Sequence, residues 1–376
     1  MFNHVFSQQK KRFYRTDYHG VDLDKLREDY QPFLPYINNN YDFAEMLSEI
    51  LGELNVSHTG SGYRPRAGVD AERTANLGLI FDEEYKGDGL LIDEVVEYSP
   101  FDTNYSKVEK GYIVEKIDGV EIKEGEDYYP LLKNKAGKKV LVTIKNPQTK
   151  EEWEEVVKPI SAGALNELLY KRWVKSRQEE TERLSGGRLG YVHIRSMGDE
   201  SYREVYSDIL GRYNHCDGIV IDTRFNGGGR LHEDIEILFS GDKYLEQTVR
   251  GTRVSDMPSR RYNKPSIMLV AEANYSNAHG TPWVYRHKGI GSIVGMPVPG
   301  TMTSVNWETL QDPSLYFGIP VVGYKTEDGQ YLENLQLEPD FKVENDINSV
   351  MSGQDKQLEV AVDELLKQID AEKKSW

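Results

Sequence analysis

The first sixty residues carry the hydrophobic spacing of a helix. Apolar side chains recur every three or four positions in one stretch, at Phe43, Met46, Leu47, Ile50, Leu51 and Leu54. This spacing places them on one face of an α-helix, and the polar run from Asn55 to Gly60 ends that helix. Because one such helix buries too little surface to stand alone, we predict that residues 1–62 form a helical arm packed on a later part of the chain.

From about residue 67 to residue 160 the pattern changes to short β-rich runs separated by Gly, Asp, Asn and Pro. The predicted strands are Leu77–Phe81, Leu90–Val96, Tyr112–Ile117 and Val140–Ile144. Between two apolar runs stands Asp118-Gly119, a dipeptide typical of hairpin turns. Residues 67–160 are therefore predicted to form a small β domain.

Residues 161–376 alternate strands with helices. The predicted strands are Leu189–Ile194, Gly218–Asp222 and Ser266–Glu272. The predicted helices cover Tyr202–Tyr213, Leu231–Phe239, Thr281–His287 and Leu358–Ile369. Such alternation is typical of βαβ units, so the fold class is α/β with a mostly parallel sheet.

The composition is that of a folded protein and excludes several classes. Of the 376 residues, 38% are hydrophobic, which supplies a sizeable core. A formal net charge of −16 repels phosphate backbones and argues against a nucleic-acid binder. The apolar runs are too short to span a membrane. The single cysteine, Cys216, cannot form an intrachain disulfide.

The N-terminal segment has no apolar stretch of the signal-peptide kind. If Met1 is the native start, we expect a cytoplasmic protein. If the sequence is a fragment of a longer chain, a periplasmic or otherwise exported protein is equally compatible with it.

Three polar loops follow predicted strands or helix ends, where backbone and side-chain groups are available for chemistry. The first contains Gly227-Gly228-Gly229, whose backbone N–H groups are suited to an anion. The second carries Ser276 just ahead of a predicted helix, whose N-terminus favours developing negative charge. The third contains Ser57-His58 behind the arm helix. Taken singly, each loop also fits an ordinary turn or helix cap.

Taken together, the loops resemble the S41 peptidases, which include the C-terminal processing proteases and the tricorn protease. The resemblance rests on DTRFNGGG at 222–229, on a serine loop about fifty residues later, and on VGMPVPGT at 294–301. It implies a crotonase/ClpP-like ββα catalytic domain at 161–376, with the helical arm at 1–62 and an inserted PDZ-like domain at 67–160. It implies no cofactor and no metal.

Within the β domain, Ser99-Pro100-Phe101 and the run that ends at Asp118-Gly119 resemble protease-associated PDZ domains. The matching loop for binding a peptide terminus is Asn76–Ile80, with Leu77, Gly78, Leu79 and Ile80 as the peptide-binding residues. A generic small β-barrel with the same turns is the alternative.

The branch within S41 follows from three positions. C-terminal processing proteases use a Ser–Lys dyad, but Thr301 stands at the lysine position here. The tricorn branch uses a histidine preceded by serine after a "GELN" helix end, and this chain has Ser57-His58 after Gly52–Asn55. That branch also has a glutamate shortly before Pro-Asp, which Glu333 matches ahead of Pro339-Asp340.

This resemblance implies a role for each matched residue. Ser276 would be the nucleophile, His58 the general base, and Glu333 would orient His58 through the Ser57 hydroxyl. Backbone N–H groups would hold the oxyanion, from Gly228 or Gly229 and from Asn277. The chain departs from tricorn in having neutral Asn277 directly after the serine.

The resulting expectation is a serine endopeptidase or oligopeptide-releasing protease that acts on peptides or unfolded proteins. The alternative is a catalytically inactive, PDZ-containing peptide-binding protein of the same fold. A shifted register, with Ala278 at the nucleophile position, would also mean an inactive protein. Homo-oligomerisation stays open.

Overall fold

The computed structural model describes residues 1–65, 68, 71–241 and 243–374. Its helices are α1 (Phe2–Arg12), α2 (Leu23–Tyr30), α3 (Asn40–Gly52), α4 (Ala162–Ser185), α5 (Asp199–Ser207), α6 (His232–Ser240), α7 (Asn277–His287), α8 (Ile347–Met351) and α9 (Lys356–Lys374). Its strands are β1 (Ser61–Tyr63), β2 (Ala75–Asn76), β3 (Leu79–Phe81), β4 (Leu90–Val95), β5 (Ile113–Ile117), β6 (Val120–Glu121), β7 (Val140–Lys145), β8 (Glu152–Val157), β9 (Ile160–Ser161), β10 (Leu189–His193), β11 (Gly218–Asp222), β12 (Leu245–Val249), β13 (Thr252–Met257), β14 (Ser266–Val270), β15 (Ser292–Gly295), β16 (Thr303–Thr309), β17 (Leu315–Gly323) and β18 (Phe341–Lys342). Among the described residues, no helix combines the length and apolar character needed to cross a lipid bilayer.

The chain divides into two compact units. The first joins Met1–Arg66 to Arg177–Trp376, and the second is Ala67–Ser176. The boundary after Ser176 falls inside α4.

A parallel five-stranded sheet forms the centre of the first unit, in the order β10-β11-β14-β15-β18. Every residue of β11 and β14 is buried, as expected for central strands covered on both faces. The carboxyl ends of neighbouring parallel strands lie at the same edge of a sheet. The glycine loop after β11 and the serine loop after β14 therefore start side by side.

The helix predicted near Thr281–His287 begins earlier, at Asn277, so that Ser276 occupies its N-cap position. Pro282 lies inside this helix and cannot donate to the carbonyl of Ala278. The side-chain amide of Asn274 donates to that carbonyl instead, at 3.2 Å. This substitute hydrogen bond lets the helix extend back to the serine.

A second core joins the N-terminal arm to a three-stranded antiparallel sheet, in the order β1-β17-β16. The apolar faces of α1 and α3 pack against β17, with Leu47, Leu54 and Phe317 fully buried. The buried side chain of Gln9 donates to the carbonyl of Gly318 at 2.9 Å. The predicted packing of the arm on a later part of the chain is confirmed.

The second unit is an antiparallel sheet in the order β3-β4-β5-β7-β8, with β6 paired to β5. The hairpin predicted at Asp118-Gly119 joins β5 to β6, and both residues have positive φ (49° and 79°), the signature of a type I′ turn. The strand predicted from Leu77 begins only at Leu79, because Gly78 turns the chain with a φ of +74°.

Candidate active site

The serine loop presents Ser276 on a sharp turn between a buried strand and a helix. Ser276 has φ 58° and ψ −123°, a conformation that costs a non-glycine residue energy. Below it, the buried Asn274 side chain accepts the Ala271 N–H at 3.1 Å and donates to the Thr223 hydroxyl at 2.9 Å. In α/β-hydrolases a strained strand-to-helix turn of this kind exposes the nucleophilic serine.

Ala278 behaves differently from Ser276, although the alternative register would exchange their roles. Its side chain is fully buried and belongs to the main hydrophobic core of the first unit. A side chain at that position faces the core, whereas Ser276 is only partly buried. The geometry therefore favours the register that places the nucleophile at Ser276.

The glycine loop lies directly against the serine turn. A Cβ added at Gly228 would lie 2.6 Å from the Cβ of Ser276, and Gly228 has a φ of +99°. Its N–H donates to the side-chain oxygen of Asn226 at 2.8 Å, so that group is already used. By contrast, the N–H groups of Gly229 and Asn277 have no acceptor within the described residues.

The side chain of Asn277 has a second task. Its oxygen accepts the N–H groups of Leu231 and His232 at 2.9 and 3.0 Å, at the start of α6. Its amide donates to Nδ1 of His232 at 2.7 Å. A neutral amide thus satisfies a helix N-terminus where tricorn, by the resemblance, carries an aspartate.

Ser57, His58 and Glu333 form a connected chain of hydrogen bonds. The buried carboxylate of Glu333 accepts the Ser57 N–H at 2.5 Å and the Ser57 hydroxyl at 2.9 Å. The same hydroxyl oxygen lies 2.8 Å from Nδ1 of His58. Residues separated by more than 270 positions in sequence are thus brought into direct contact.

Burial shifts the titration of both ionisable groups in this chain. It lowers the pKa of the His58 imidazole to about 4, so the ring is neutral at physiological pH. Burial also raises the pKa of Glu333, while the two hydrogen bonds from Ser57 act in the opposite direction. A neutral imidazole is the form that accepts a proton.

Tyr275 links the loop that carries the serine to the loop that carries the histidine. Its hydroxyl accepts the backbone N–H of His58 at 2.8 Å, and the centroids of the two rings lie 4.7 Å apart. Within the described part of the chain, no hydrogen bond joins the Ser276 hydroxyl directly to His58. Catalytic hydrogen bonds are often long before substrate binds and tighten in the complex.

A cavity of about 430 Å³ opens beside Ser276. Its lining includes Gly229, His232, Asn277, Thr303 and Tyr324. The Ser276 turn and the backbone N–H groups of Gly229 and Asn277 therefore border a space that can hold part of a ligand.

The contacts of three hydroxyl-bearing residues at this site were not predicted from the sequence: Tyr275, Thr301 and Thr303. Thr301 accepts the Ser276 N–H at 2.8 Å, and Thr303 lies 3.2 Å from Nδ1 of His58. The signal available was the threonine at the lysine position, which was interpreted only as the absence of a base.

The predicted peptide-binding loop lies in the second unit. Leu77 and Leu79 are buried in that unit's core, and the Gly78 N–H donates to the Asn76 side chain at 2.7 Å. Ile80 is partly buried and lies on β3, which stands at the end of its sheet. In the described residues the outer edge of β3 is not paired with another strand, and peptide binding there stays a prediction.

Three family models match the chain along its length. Peptidase family S41 matches residues 188–343, the Tricorn protease C1 domain matches residues 1–52, and the Tricorn protease PDZ domain matches residues 86–162. The matches follow the order of helical arm, β domain and α/β domain.

Curated relatives that match the chain are also named as tricorn proteases or their homologues, at low sequence identity. The tricorn protease of Thermoplasma acidophilum is 23% identical over 362 residues, which cover 92% of this chain and 32% of that protein. Tricorn protease homolog 1 of Streptomyces coelicolor is 26% identical over 376 residues, covering 96% of this chain and 34% of the relative. The chain thus spans about a third of the length of these relatives.

A crystal structure of the tricorn protease matches with a TM-score of 0.85 at 20% sequence identity, covering 98% of this chain and 36% of that chain. This match confirms the predicted α/β fold with its helical arm and PDZ domain. Residues 188–343 thus match peptidase family S41, and the chain as a whole is similar in sequence and fold to tricorn proteases.

Proposed function

We propose that the chain is an oligopeptide-releasing serine endopeptidase, with Ser276 as nucleophile and His58 as general base. The single observation that carries this proposal is the hydrogen-bonded chain from Glu333 through Ser57 to His58. We expect it to fix the tautomer of a histidine whose backbone N–H is bound by Tyr275, the residue before the serine on the strained turn.

The proton positions follow from counting donors and acceptors. An ionised carboxylate only accepts, so the N–H and the hydroxyl proton of Ser57 both point to Glu333. The Ser57 oxygen is then an acceptor, and the proton between it and His58 belongs to Nδ1. Nε2 of His58 is left without a proton, ready to take one from Ser276.

The reaction then has two stages. The Ser276 oxygen attacks the peptide carbonyl while its proton passes to Nε2 of His58, and the Glu333–Ser57 pair stabilises the imidazolium. That proton goes on to the leaving amine, which departs and leaves an acyl-serine. Water, deprotonated by His58, hydrolyses the acyl group and restores the serine.

The oxyanion is assigned to two backbone donors. The N–H of Asn277 is the first of helix α7, where the helix dipole favours negative charge. The N–H of Gly229 is the second, since Gly228 already donates to Asn226. Loss of one such donor typically lowers kcat by about 10²–10³.

For the β domain at 67–160 we infer a role in holding peptide or unfolded-protein substrates. The support is the unpaired outer edge of β3, to which an extended peptide can add as a further strand. Ile80 and Phe81 are both partly buried on this edge strand. Peptide binding at the β3 edge would act on substrate affinity, while the arm at 1–62 and the domain at 161–376 would carry out the chemistry.

Covalent labelling tests the proposed function. A fluorophosphonate probe should modify the chain once, and peptide mapping by mass spectrometry should place the adduct on Ser276. The Ser276→Ala variant should take no label and cleave a peptide library at least about 10⁴-fold more slowly. A folded wild-type chain that takes no label and cleaves nothing would instead support the inactive peptide-binding alternative.

A further inference from the structure

We propose that Thr301 and Thr303 act together as a hydroxyl clamp, with Thr301 positioning the nucleophile and Thr303 positioning the base. This inference rests on the proposed function and deepens it. The two threonines, which we call the threonine clamp, lie two positions apart, with Thr303 at the start of β16.

Thr301 holds the peptide group that precedes the nucleophile. Its hydroxyl oxygen accepts the Ser276 N–H at 2.8 Å, and its proton is directed to the Pro299 carbonyl at 3.4 Å. The carbonyl of the same peptide group, that of Tyr275, accepts the Ala278 N–H at 3.0 Å. With both ends of the peptide group bound, the strained φ of Ser276 cannot relax by rotating it.

Thr301 does not replace the missing lysine as a base. A neutral hydroxyl group is far too weak a base to take a proton from serine near neutral pH. Its contact is also to the backbone N–H of Ser276. Its role is therefore positioning.

Thr303 completes the surroundings of the histidine. Its buried hydroxyl lies 3.2 Å from Nδ1 of His58 and 3.2 Å from the Ser57 oxygen. The Ser57 carbonyl accepts its proton at 3.4 Å. Because the Thr303 proton is directed to the Ser57 carbonyl, the Thr303 oxygen can serve as a second acceptor for the Nδ1 proton, beside the Ser57 hydroxyl oxygen. It thereby favours the tautomer in which Nε2 is free.

The backbone supports this arrangement. Residues two apart in an extended segment direct their side chains to the same side, and β16 begins at Thr303. The carbonyl of Gly300 accepts the Asn334 N–H at 2.8 Å, which ties the clamp to the segment that carries Glu333. One short stretch thus contacts nucleophile, base and orienting carboxylate segment.

The test replaces each clamp hydroxyl by a methyl group of similar size, in Thr301→Val and Thr303→Val. Both should lower kcat and the rate of fluorophosphonate labelling about five- to fiftyfold, with KM little changed, since each removes one hydrogen bond to the catalytic pair. Thr301→Ser and Thr303→Ser keep the hydroxyl and should stay within about threefold of wild type. Thr309→Val, an exposed change on the same strand, is the matched control.

A second measurement separates the clamp from the proposed function. Nitrogen-15 NMR of the His58 ring should show the Nδ1 proton in the wild type and an increased share of the Nε2 tautomer in Thr303→Val. Valine variants equal to wild type in rate and tautomer would overturn the clamp, as would serine variants as impaired as the valine ones. If a valine variant fails to fold, Thr301→Ala and Thr303→Ala carry the same comparison. A wild type that takes no label refutes the proposed function, while the NMR result still decides whether Thr303 fixes the tautomer.

Discussion

The loop that carries Ser276 and the loop that carries Ser57 and His58 are held by different means. The serine turn is fixed by local backbone: a strained φ, a helix start, and Gly228 packed against its Cβ. The histidine is fixed by side-chain hydrogen bonds that end on the buried Glu333. Substitutions that force the backbone of the serine turn to move should therefore have large effects, and those that remove one supporting hydrogen bond, on either side, should act by degrees.

Removal of the proposed base, His58, should have the largest effect. His58→Ala should lower kcat by about 10⁴-fold or more, because the proposed mechanism assigns the deprotonation of Ser276 to His58 alone. Since burial holds the pKa of His58 near 4, kcat/KM of the wild type should rise with pH through about 4 and be level by pH 6. A pH–rate profile on a short chromogenic peptide measures both.

The shifted pKa of His58 also makes the free energy of unfolding depend on pH. The unfolded His58 has its ordinary pKa of about 6.5, so between pH 6.5 and 4 the unfolded state binds more protons than the folded state. His58 therefore contributes a loss of folding stability as the pH falls through that window.

In the pH–rate profile, an ascending limb near pH 9 that survives His58→Ala would instead support a lysine as the base.

On the serine side, Gly228→Ala should lower kcat by about 10²–10³-fold. The added Cβ would meet the Cβ of Ser276 at 2.6 Å, at a φ of +99° that alanine adopts poorly, so the serine turn must shift. Gly227→Ala is the matched control, because a Cβ there meets nothing within 4 Å. Near-normal labelling of Gly228→Ala, with the control unchanged, would show that the turn is not rigid.

The sequence revealed the two sides of the site to different extents. The serine side was readable because a buried strand, a polar loop and a helix follow one another within one short stretch. Even there, the helix start was placed too late. Pro282 argues against a helix, and only the fold shows that Asn274 supplies the missing hydrogen bond.

On the histidine side, the roles given to Ser57, His58 and Glu333 came only from the family resemblance. No local sequence pattern indicates that Ser57 and Glu333 are in contact. The hydroxyls of Tyr275 and Thr303 were missed for the same reason: their partners lie more than 200 positions away in sequence. The use of the Gly228 N–H by Asn226 was likewise invisible, because a glycine run does not show which of its N–H groups is free.

The carboxylate that supports the histidine should matter less than the base. Glu333→Gln should lower kcat by about 10- to 100-fold with KM little altered. Ser57 donates two hydrogen bonds to Glu333, whereas a glutamine side chain has one accepting oxygen and one donating NH2 group. The Ser57 hydroxyl can then turn its proton toward His58, so the tautomer of His58 is no longer fixed. Glu338→Gln, an exposed neighbour, is the control. If Glu338→Gln lowers kcat while Glu333→Gln does not, Glu338 is the carboxylate that orients His58.

The smallest effect is expected where the two sides meet, at Tyr275. Tyr275→Phe keeps the ring that lies 4.7 Å from His58 and removes only the hydroxyl that accepts the His58 N–H. One backbone hydrogen bond at a half-exposed position is worth about 1 kcal/mol, so kcat/KM should fall about three- to tenfold. Tyr36→Phe, at a tyrosine that is 83% exposed, should leave kcat/KM unchanged. If the two sides are coupled only through this hydroxyl, Tyr275→Phe should cost less in a Glu333→Gln background, where His58 is already misoriented. Equal costs in both backgrounds would mean that the serine turn and the histidine are positioned independently.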